Sequence, residues 1–367
     1  MDINPRQSLA AEGRLTSLDF FRGVTMFMLI GEATGLYELL RDPALNGTLL
    51  SAIGWQLDHH PWNGLRCWDL VQPFFMFIVG VAMPFSLGKR WQRGDSWRQT
   101  LHHALIRSAL LLLFGWGLYC IGPGRLTFEL WNVLAQLSFT YLVAFLMMRK
   151  STSVQMGFTF VLLIVTEMLY RLWPVAGFNQ PFVPDHGFGA WVDLAIMHKL
   201  SDGHWVAFNA VPTTAHTMWG VLAGQVLKSS RAPLQKIRIL AIAGAIGVVS
   251  GYALNPLTPI IKRICTSSFV IVSGGWCLLA LAFSYWLIDV KGYRKWSTFS
   301  TSWERIHSSF TFSLKRAGQS GSARSPDPSP WDCSLGVVNS QRKLLPASSS
   351  GECSGTSVCG YTGTESL

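Results

Sequence analysis

Long apolar runs separated by short polar segments dominate the first 296 residues of the chain. Eight of these runs, each of about 18 to 23 residues, are long enough as helices to cross the roughly 30 Å hydrocarbon core of a bilayer. They begin near Leu18, Asp69, Ala104, Glu129, Gln155, Val211, Ile237 and Ser267. The pattern predicts an all-α fold, a polytopic transmembrane helical bundle with eight spans.

Composition agrees with burial in membrane lipid. Hydrophobic residues make up 49% of the chain and charged residues only 14%, whereas soluble domains carry about 25% charged residues. No apolar run is preceded by a short basic region and followed by a small-residue cleavage site, so we expect the first span to be retained.

The formal net charge of +10 is explained better by membrane topology than by nucleic acid. Lys and Arg gather in cytoplasmic loops because they resist translocation. In this sequence the basic residues alternate between richer and poorer loops. The alternation predicts a cytoplasmic N-terminus, an extracytoplasmic His59 and no nucleic-acid partner. We expect a multi-pass protein of the bacterial inner (plasma) membrane or an equivalent bilayer.

The chain divides into three parts. Residues 1–14 form a predicted cytoplasmic N-terminus and residues 15–296 a membrane domain, whereas residues 297–367 are rich in Ser, Gly and Pro and hold three of the seven cysteines. Such a composition is typical of a disordered tail. A frameshift is the second explanation. When two tail segments are back-translated and read in the same shifted frame, both can give sequences typical of membrane spans or their edges. In that case further spans have been lost.

Charged residues in the first span form one candidate site. Asp19 and Arg22 are three residues apart and therefore share a helix face. Charges at membrane depth usually face the protein interior. They could form an ion pair that orients the helix, or an anion or cosubstrate site at the inner mouth of a cavity.

The segment just before the second span is the stronger candidate. His59 is a base whose usual pKa lies near neutrality, so it could take a proton from an amine or hydroxyl, or briefly hold an acyl group. Asp69 could orient the imidazole and Asn63 could steady a developing oxyanion. Trp62 and Trp68 could also be interfacial anchors, the commoner role of tryptophan at this depth.

Three longer motifs extend this site. They are Ser-Leu-Asp-Phe-Phe-Arg-Gly at 17–23, His-x-x-Trp-Asn-Gly at 59–64 with Asp-Leu-Val-x-Pro-Phe-Phe-x-Phe-Ile-Val-Gly at 69–80, and the segment 255–269 with Lys262, Arg263 and Thr266. Together they resemble the transmembrane acyltransferase family that includes heparan-alpha-glucosaminide N-acetyltransferase and its bacterial relatives, often filed as a domain of unknown function. The resemblance covers about residues 14–296.

This resemblance implies transfer of an acetyl group from cytoplasmic acetyl-CoA to a terminal amino sugar beyond the membrane, with one histidine as the active residue. By position in the motif that histidine is His59, although His60 is its neighbour. Asn63 and Asp69 would position it. Direct transfer and a two-step route remain open. Trp62, Asp19, Arg22, Lys262, Arg263 and Thr266 are candidate contacts for substrate or cosubstrate.

Other chemistries find less support in the sequence. Cys/His spacing suited to zinc, a dinucleotide fingerprint and a Walker-type loop are all absent from the sequence, so we expect acetyl-CoA as cosubstrate and no metal. The segment from about Trp173 to Asn209 carries carboxylates, histidines and tryptophans that could contact a sugar or simply be hydrated. The alternative function is a solute transporter or exporter; a scaffold without chemistry is a third possibility. A homodimer remains possible.

Overall fold

The computed structural model describes residues 15–121 and 126–293. The predicted segments 1–14 and 297–367 lie outside these residues. Most of the described chain is helical, and its extended pairing is a single antiparallel bridge between Asn63 and Ile261. The α-helices are α1 Thr16–Ala33, α2 Leu36–Leu40, α3 Leu49–Gln56, α4 Val71–Gln92, α5 Trp97–Ile121, α6 Val133–Met147, α7 Thr152–Leu172, α8 Phe188–Met197, α9 Ala210–Lys228, α10 Pro233–Leu254 and α11 Ser267–Ser284.

Shorter helical turns flank several of these elements. A 3-10 turn leads directly into α4, another leads into α9, and a π-helical turn extends α11. The turns are Pro43–Leu45, Cys67–Leu70, Ala207–Asn209 and the π-helical Tyr285–Val290.

Five helical segments of the described chain are long and apolar enough to cross a membrane. They are Cys67–Gln92, Trp97–Cys120, Thr152–Leu172, Pro233–Leu254 and Ser267–Val290. Several of them turn large apolar side chains outward, including Phe114, Phe160 and Ile246. Apolar surface of this extent is what lipid would cover, so these segments support an integral membrane protein.

The prediction of helices is confirmed at all eight apolar runs, but the count of eight spans is not confirmed. Helix α1 holds three ionisable side chains, Asp19, Arg22 and Glu32. Helix α6 has 15 residues, roughly 22 Å of helix. Helix α9 carries a polar run with Thr213, Thr214, His216 and Thr217, all fully buried. Charge, length and polarity thus separate these three helices from the other five.

The centre of the bundle is a close crossing of α4 and α9. A Cβ atom on Gly80 would collide with the Thr217 carbonyl oxygen, and one on Gly220 would collide with the Phe77 carbonyl oxygen. Gly224 follows Gly220 by four residues and packs on Val81 in the same way. Small residues at this spacing let helix backbones approach closely in membranes. The crossing therefore fixes α4, and the 3-10 turn that leads into it carries part of the candidate site.

Two loops at one end of the bundle are joined to each other. The segment after α3 contacts the loop between α10 and α11 through the hydrogen bond from the Gly64 N–H to the Ile260 carbonyl oxygen, 2.8 Å long. The Asn63–Ile261 bridge lies beside it. This junction brings residues about 200 positions apart to one place.

Candidate functional site

Asp69 is the anchor of the site, and the backbone around it fixes its side chain. It lies in the 3-10 turn that leads into α4 and is 1% exposed. Its Oδ2 accepts hydrogen bonds from the backbone N–H groups of Arg66, at 2.9 Å, and His60, at 3.3 Å. These bonds leave Oδ1 directed at other partners.

His59 meets that free oxygen. Its Nδ1 lies 3.2 Å from Asp69 Oδ1, and its Nε2 accepts a hydrogen bond of 3.2 Å from the indole N–H of Trp68. An indole N–H can only donate, so Nε2 carries the lone pair and the single ring hydrogen of the neutral imidazole is on Nδ1. The imidazole is 34% exposed. Its basic nitrogen is therefore oriented by two partners while the ring stays accessible.

Lys262 completes the cluster from the loop between α10 and α11. Its Nζ lies 3.1 Å from His59 Nδ1 and 3.4 Å from Asp69 Oδ1, and its side chain is 8% exposed. Thr266 shapes this loop, because its hydroxyl donates to the Pro259 carbonyl oxygen at 2.7 Å and accepts from the Ile261 N–H at 3.0 Å. Loop geometry thus presents the ammonium to the histidine–aspartate pair.

Trp205 lies against the same imidazole. Its ring is 5.4 Å from that of His59 in an edge-on arrangement, and it packs on the backbone of Gly203. Arg263 donates from Nη1 to the Gly203 carbonyl oxygen at 2.7 Å, with its guanidinium 5.6 Å from the Trp205 ring centre. The tryptophan is therefore held by its own loop beside His59.

Burial acts in the same direction on the pKa of both basic groups in the cluster. Burial lowers the pKa of His59, and the Lys262 charge adds to this effect, whereas Asp69 and Asp58 oppose it. Burial likewise lowers the pKa of Lys262, while the Asp69 carboxylate opposes that change. Burial therefore favours the neutral imidazole, while the Asp69 carboxylate favours the charged form of Lys262.

The other residues predicted for this region have structural contacts. Trp62 donates from Nε1 to the Phe182 carbonyl oxygen at 2.7 Å. The backbone of Asn63 forms the bridge to Ile261, and its side chain is exposed. Among the described residues, the hydrogen bonds of His59 and Asp69 go to partners other than Asn63. The structure brings together His59, Asp69 and Lys262, with Arg263 and Thr266 supporting them.

Asp19 and Arg22 lie elsewhere. They form an ion pair of 3.7 Å near the start of α1, where the Ser17 N–H also donates to Asp289 Oδ2 at 3.3 Å. Glu32, near the other end of α1, is a residue of this helix whose charge acts on Lys262. Asp19 and Glu32 are thirteen positions apart on this helix, or roughly 20 Å. The pair is therefore not part of the His59 cluster.

The structure also separates His59 from His60. The His60 ring packs against Gly64, where a Cβ atom would collide with it and where φ is +151°. Burial lowers the pKa of His60, and the Arg66 charge adds to the lowering. The carboxylate and lysine contact His59 and not the His60 ring, so the geometry favours His59 as the reactive residue.

Two contributors were missed by sequence reasoning. Trp68 was interpreted as an interfacial anchor, but it is 3% exposed and donates to His59. Arg66 contacts the His59 carbonyl oxygen at 2.9 Å as well as Asp58. The available signal was their position within three residues of Asp69, which is the reach of a local turn.

Side chains in the segment from Trp173 to Asn209 are packed within the protein, unlike those of a hydrated loop. Trp191 packs with Trp173 and Phe188. Asp193 is 1% exposed and accepts hydrogen bonds from Trp131 Nε1, at 2.7 Å, and the Ala207 N–H, at 3.0 Å. Burial raises the pKa of Asp193 to about 6. These two side chains are therefore part of the packing and do not form an open sugar-binding surface.

Comparisons with known proteins agree with this chemistry over part of the chain. No family model matches. The chain is 30% identical over 128 residues to heparan-alpha-glucosaminide N-acetyltransferase of Mus musculus, which is 33% of this chain and 17% of the relative. It is 33% identical over 116 residues to the Homo sapiens protein of the same name, or 30% of this chain and 15% of the relative.

The relationship is distant. The matched part spans less than a fifth of the length of these relatives. Both relatives are named as acetyltransferases, and their similarity supports acyltransferase chemistry for the chain. A neutral, oriented imidazole with an accessible ring suits that chemistry, since it can accept a proton from an attacking nucleophile. In the described part of the chain, no group of three or more His, Cys, Asp or Glu side chains is placed to hold a metal.

Proposed function

We propose that the chain is a transmembrane acyltransferase that moves an acetyl group from cytoplasmic acetyl-CoA to an amino sugar on the opposite side of the membrane. The observation that carries the proposal is the contact of His59 Nδ1 with the buried Asp69, which leaves Nε2 as the basic nitrogen. The partial similarity to two acetyltransferases supports the acyl donor and the amine acceptor.

In this proposal acetyl-CoA supplies the thioester, and the chain supplies the proton transfers. His59 Nε2 takes a proton from the acceptor amine as the nitrogen attacks the acetyl carbon. Asp69 stabilises the imidazolium that forms, because its Oδ1 faces the protonated Nδ1. The same proton then goes to the departing thiolate sulfur. A two-step route would use the same nitrogen as a transient acyl carrier.

The acceptor would approach through the exposed part of the imidazole. Trp68 occupies the Nε2 lone pair in this structure, so the acceptor N–H would replace the indole N–H. Trp205 lies beside the ring and could pack against the acceptor. We place this side outside the cytoplasm on the charge distribution of the loops.

Reconstituted vesicles test the proposal against the carrier alternative. Purified full-length chain would be placed in liposomes with labelled acetyl-CoA outside and glucosamine inside. We expect labelled N-acetylglucosamine in the lumen. His59→Ala should lower its formation by about 10²- to 10⁴-fold, the usual contribution of a general base.

His186→Ala is the matched control, since His186 is an exposed histidine whose Nδ1 contacts only the Gly177 carbonyl oxygen, at 3.0 Å. It should keep wild-type turnover. Export of unmodified glucosamine without acetylation would instead identify a carrier. Unchanged acetylation by His59→Ala would contradict the role of this residue.

A further inference from the structure

Lys262 is the most deeply buried cation of the candidate site, and its ammonium contacts both members of the histidine–aspartate pair. Its side chain is 8% exposed, against 34% for His59. The Trp205 ring centre lies 5.5 Å from Nζ and shields it further. An ammonium in this position is enclosed by the protein and is not presented to solvent.

The hydrogen-bond directions limit what this ammonium can do. Trp68 donates to Nε2, so the ring hydrogen of neutral His59 is on Nδ1 and Nδ1 has no lone pair to accept from Lys262. Asp69 Oδ1 is the acceptor within reach of both groups, at 3.2 Å from Nδ1 and 3.4 Å from Nζ. The lysine and the imidazole therefore share one carboxylate oxygen, and the lysine charge lies against the ring.

We propose that Lys262 is a positioning residue that keeps His59 in its neutral, proton-accepting form and holds Asp69 Oδ1 between the two basic groups. The proposal rests on the proposed function of His59. With Asp69 ionised and Lys262 protonated, the cluster is electrically neutral as long as His59 is neutral. A proton on His59 would leave a net positive charge in a largely enclosed site, which is unfavourable.

Other charged groups lie around the cluster without contacting the imidazole ring. Asp58 acts on His59, but its carboxylate is paired with Arg41 at 2.8 Å and Arg66 at 3.4 Å. Glu32 from α1 acts on Lys262, and Arg263 is directed to the Gly203 carbonyl oxygen. Lys262 is thus the cation in direct contact with the imidazole, and its charge agrees with the lowered pKa of His59.

This role differs from the substrate or cosubstrate contact that the sequence predicted for Lys262. A lysine that binds substrate must present its charge to that substrate, whereas the Lys262 ammonium is directed at Asp69 and covered by Trp205. If Lys262 bound the substrate, its loss would weaken binding at every pH. If it acts on His59, its loss changes the pH at which the imidazole becomes active.

Two matched variants separate these roles. Lys262→Met removes the charge while keeping a long apolar side chain. Lys199→Met is the control, because Lys199 also pairs with a carboxylate, that of Glu129, and also lies 5.5 Å from a tryptophan ring centre, that of Trp131. Lys199 does not contact His59.

The first readout is the pH dependence of kcat/KM between pH 5 and 9. A base must be unprotonated, so activity falls as the pH drops through its pKa. Without the lysine charge the pKa of His59 rises, and the acidic limb should move upward by about one pH unit, a typical effect of one adjacent charge. Activity above pH 8 should stay within about threefold of wild type, and Lys199→Met should follow the wild-type profile.

The second readout does not need acyl transfer. Diethyl pyrocarbonate modifies the unprotonated imidazole, and peptide mapping gives the rate at His59 alone. The pH midpoint of this modification rate should rise in Lys262→Met by the same amount as the acidic limb of the activity profile. This readout works even if the chain transfers no acetyl group, so failure of the proposed function and failure of this inference can be told apart.

An unchanged midpoint in both readouts would overturn the inference, as would an equal loss of activity at all pH values. Lys262→Gln serves as a second neutral variant if the methionine does not fold, and it should show the same upward shift. Lys262→Arg keeps the charge and should leave the midpoint near its wild-type value.

Discussion

The described residues include two histidine–aspartate pairs, His59–Asp69 and His204–Asp185, and their differences show what makes one of them a candidate catalytic centre. His59 Nδ1 lies 3.2 Å from Asp69, and His204 Nδ1 lies 2.5 Å from Asp185. Both imidazoles are about one-third exposed, at 34% and 39%. Their carboxylates differ, since Asp69 is 1% exposed and Asp185 is 28% exposed.

The surroundings of the two pairs also differ, and the His59–Asp69 pair is again held more firmly. Two backbone N–H groups fix Asp69, and Lys262 and Trp68 contact His59. Asp185 and His204 both have left-handed backbone conformations, with φ of 63° and 58°. Close approach of an imidazole and a carboxylate is therefore not enough to identify a candidate catalytic centre. A buried carboxylate with fixed orientation and an adjacent cation distinguish the first pair from the second.

Neutralising each carboxylate should give the largest contrast between the pairs. Asp69→Asn should lower kcat by roughly 10²- to 10³-fold, because an amide neither fixes the Nδ1–H tautomer nor stabilises the imidazolium. Asp185→Asn should change kcat by less than about twofold, as expected for an exposed pair. Acetyl transfer by the two purified variants, measured above pH 8, checks this contrast.

Equal losses in the two variants would contradict the distinction between the pairs. A large loss in Asp185→Asn confined to KM for the acceptor would instead assign the His204 pair to acceptor binding. Monodisperse elution of both variants in detergent is the control for folding.

Removing the indole N–H at position 68 should give a smaller effect. Phe in place of Trp68 keeps an aromatic ring against Tyr37, whose ring centre is 5.4 Å away, but it removes the donor to Nε2. Because the acceptor N–H has to replace the indole N–H at Nε2, the loss of this neutral hydrogen bond, about 1 kcal/mol, should raise kcat/KM above pH 8 by about fivefold. The pKa of His59 should also rise, because that bond stabilises the neutral form.

The pH profile of Trp68→Phe measures both effects. A fall in kcat/KM above pH 8 would contradict the replacement of the indole by the acceptor at Nε2. A loss without any change in the acidic limb would show that the indole acts on packing and not on the imidazole.

The sequence predicted the local parts of this site better than the long-range parts. His59 and Asp69 are ten residues apart, and their pairing follows from a turn that leads into an apolar helix, so residue types and spacing were enough to suggest it. The contact of Lys262 with His59 spans 203 positions and depends on the bridge between Asn63 and Ile261. A single sequence has no local signal for that bridge, and Lys262 was therefore predicted as a substrate or cosubstrate contact.

Apolar runs predicted the helices well for the same reason. Periodicity and length give each helix, but whether a helix crosses a bilayer depends on its neighbours. Helix α9 keeps His216 and three threonines fully buried because α4, α6, α7 and α11 surround it. In α6 the helix itself has only 15 residues. The sequence alone did not show these differences.

Chemical rescue of the missing imidazole tests the central claim most directly. His59→Gly would remove the ring and leave space at the same position, and free imidazole would be added to the purified full-length variant during acetyl transfer. The account predicts that activity lost in His59→Gly returns in part, in proportion to the concentration of unprotonated imidazole. Full activity of His59→Gly without imidazole would contradict it.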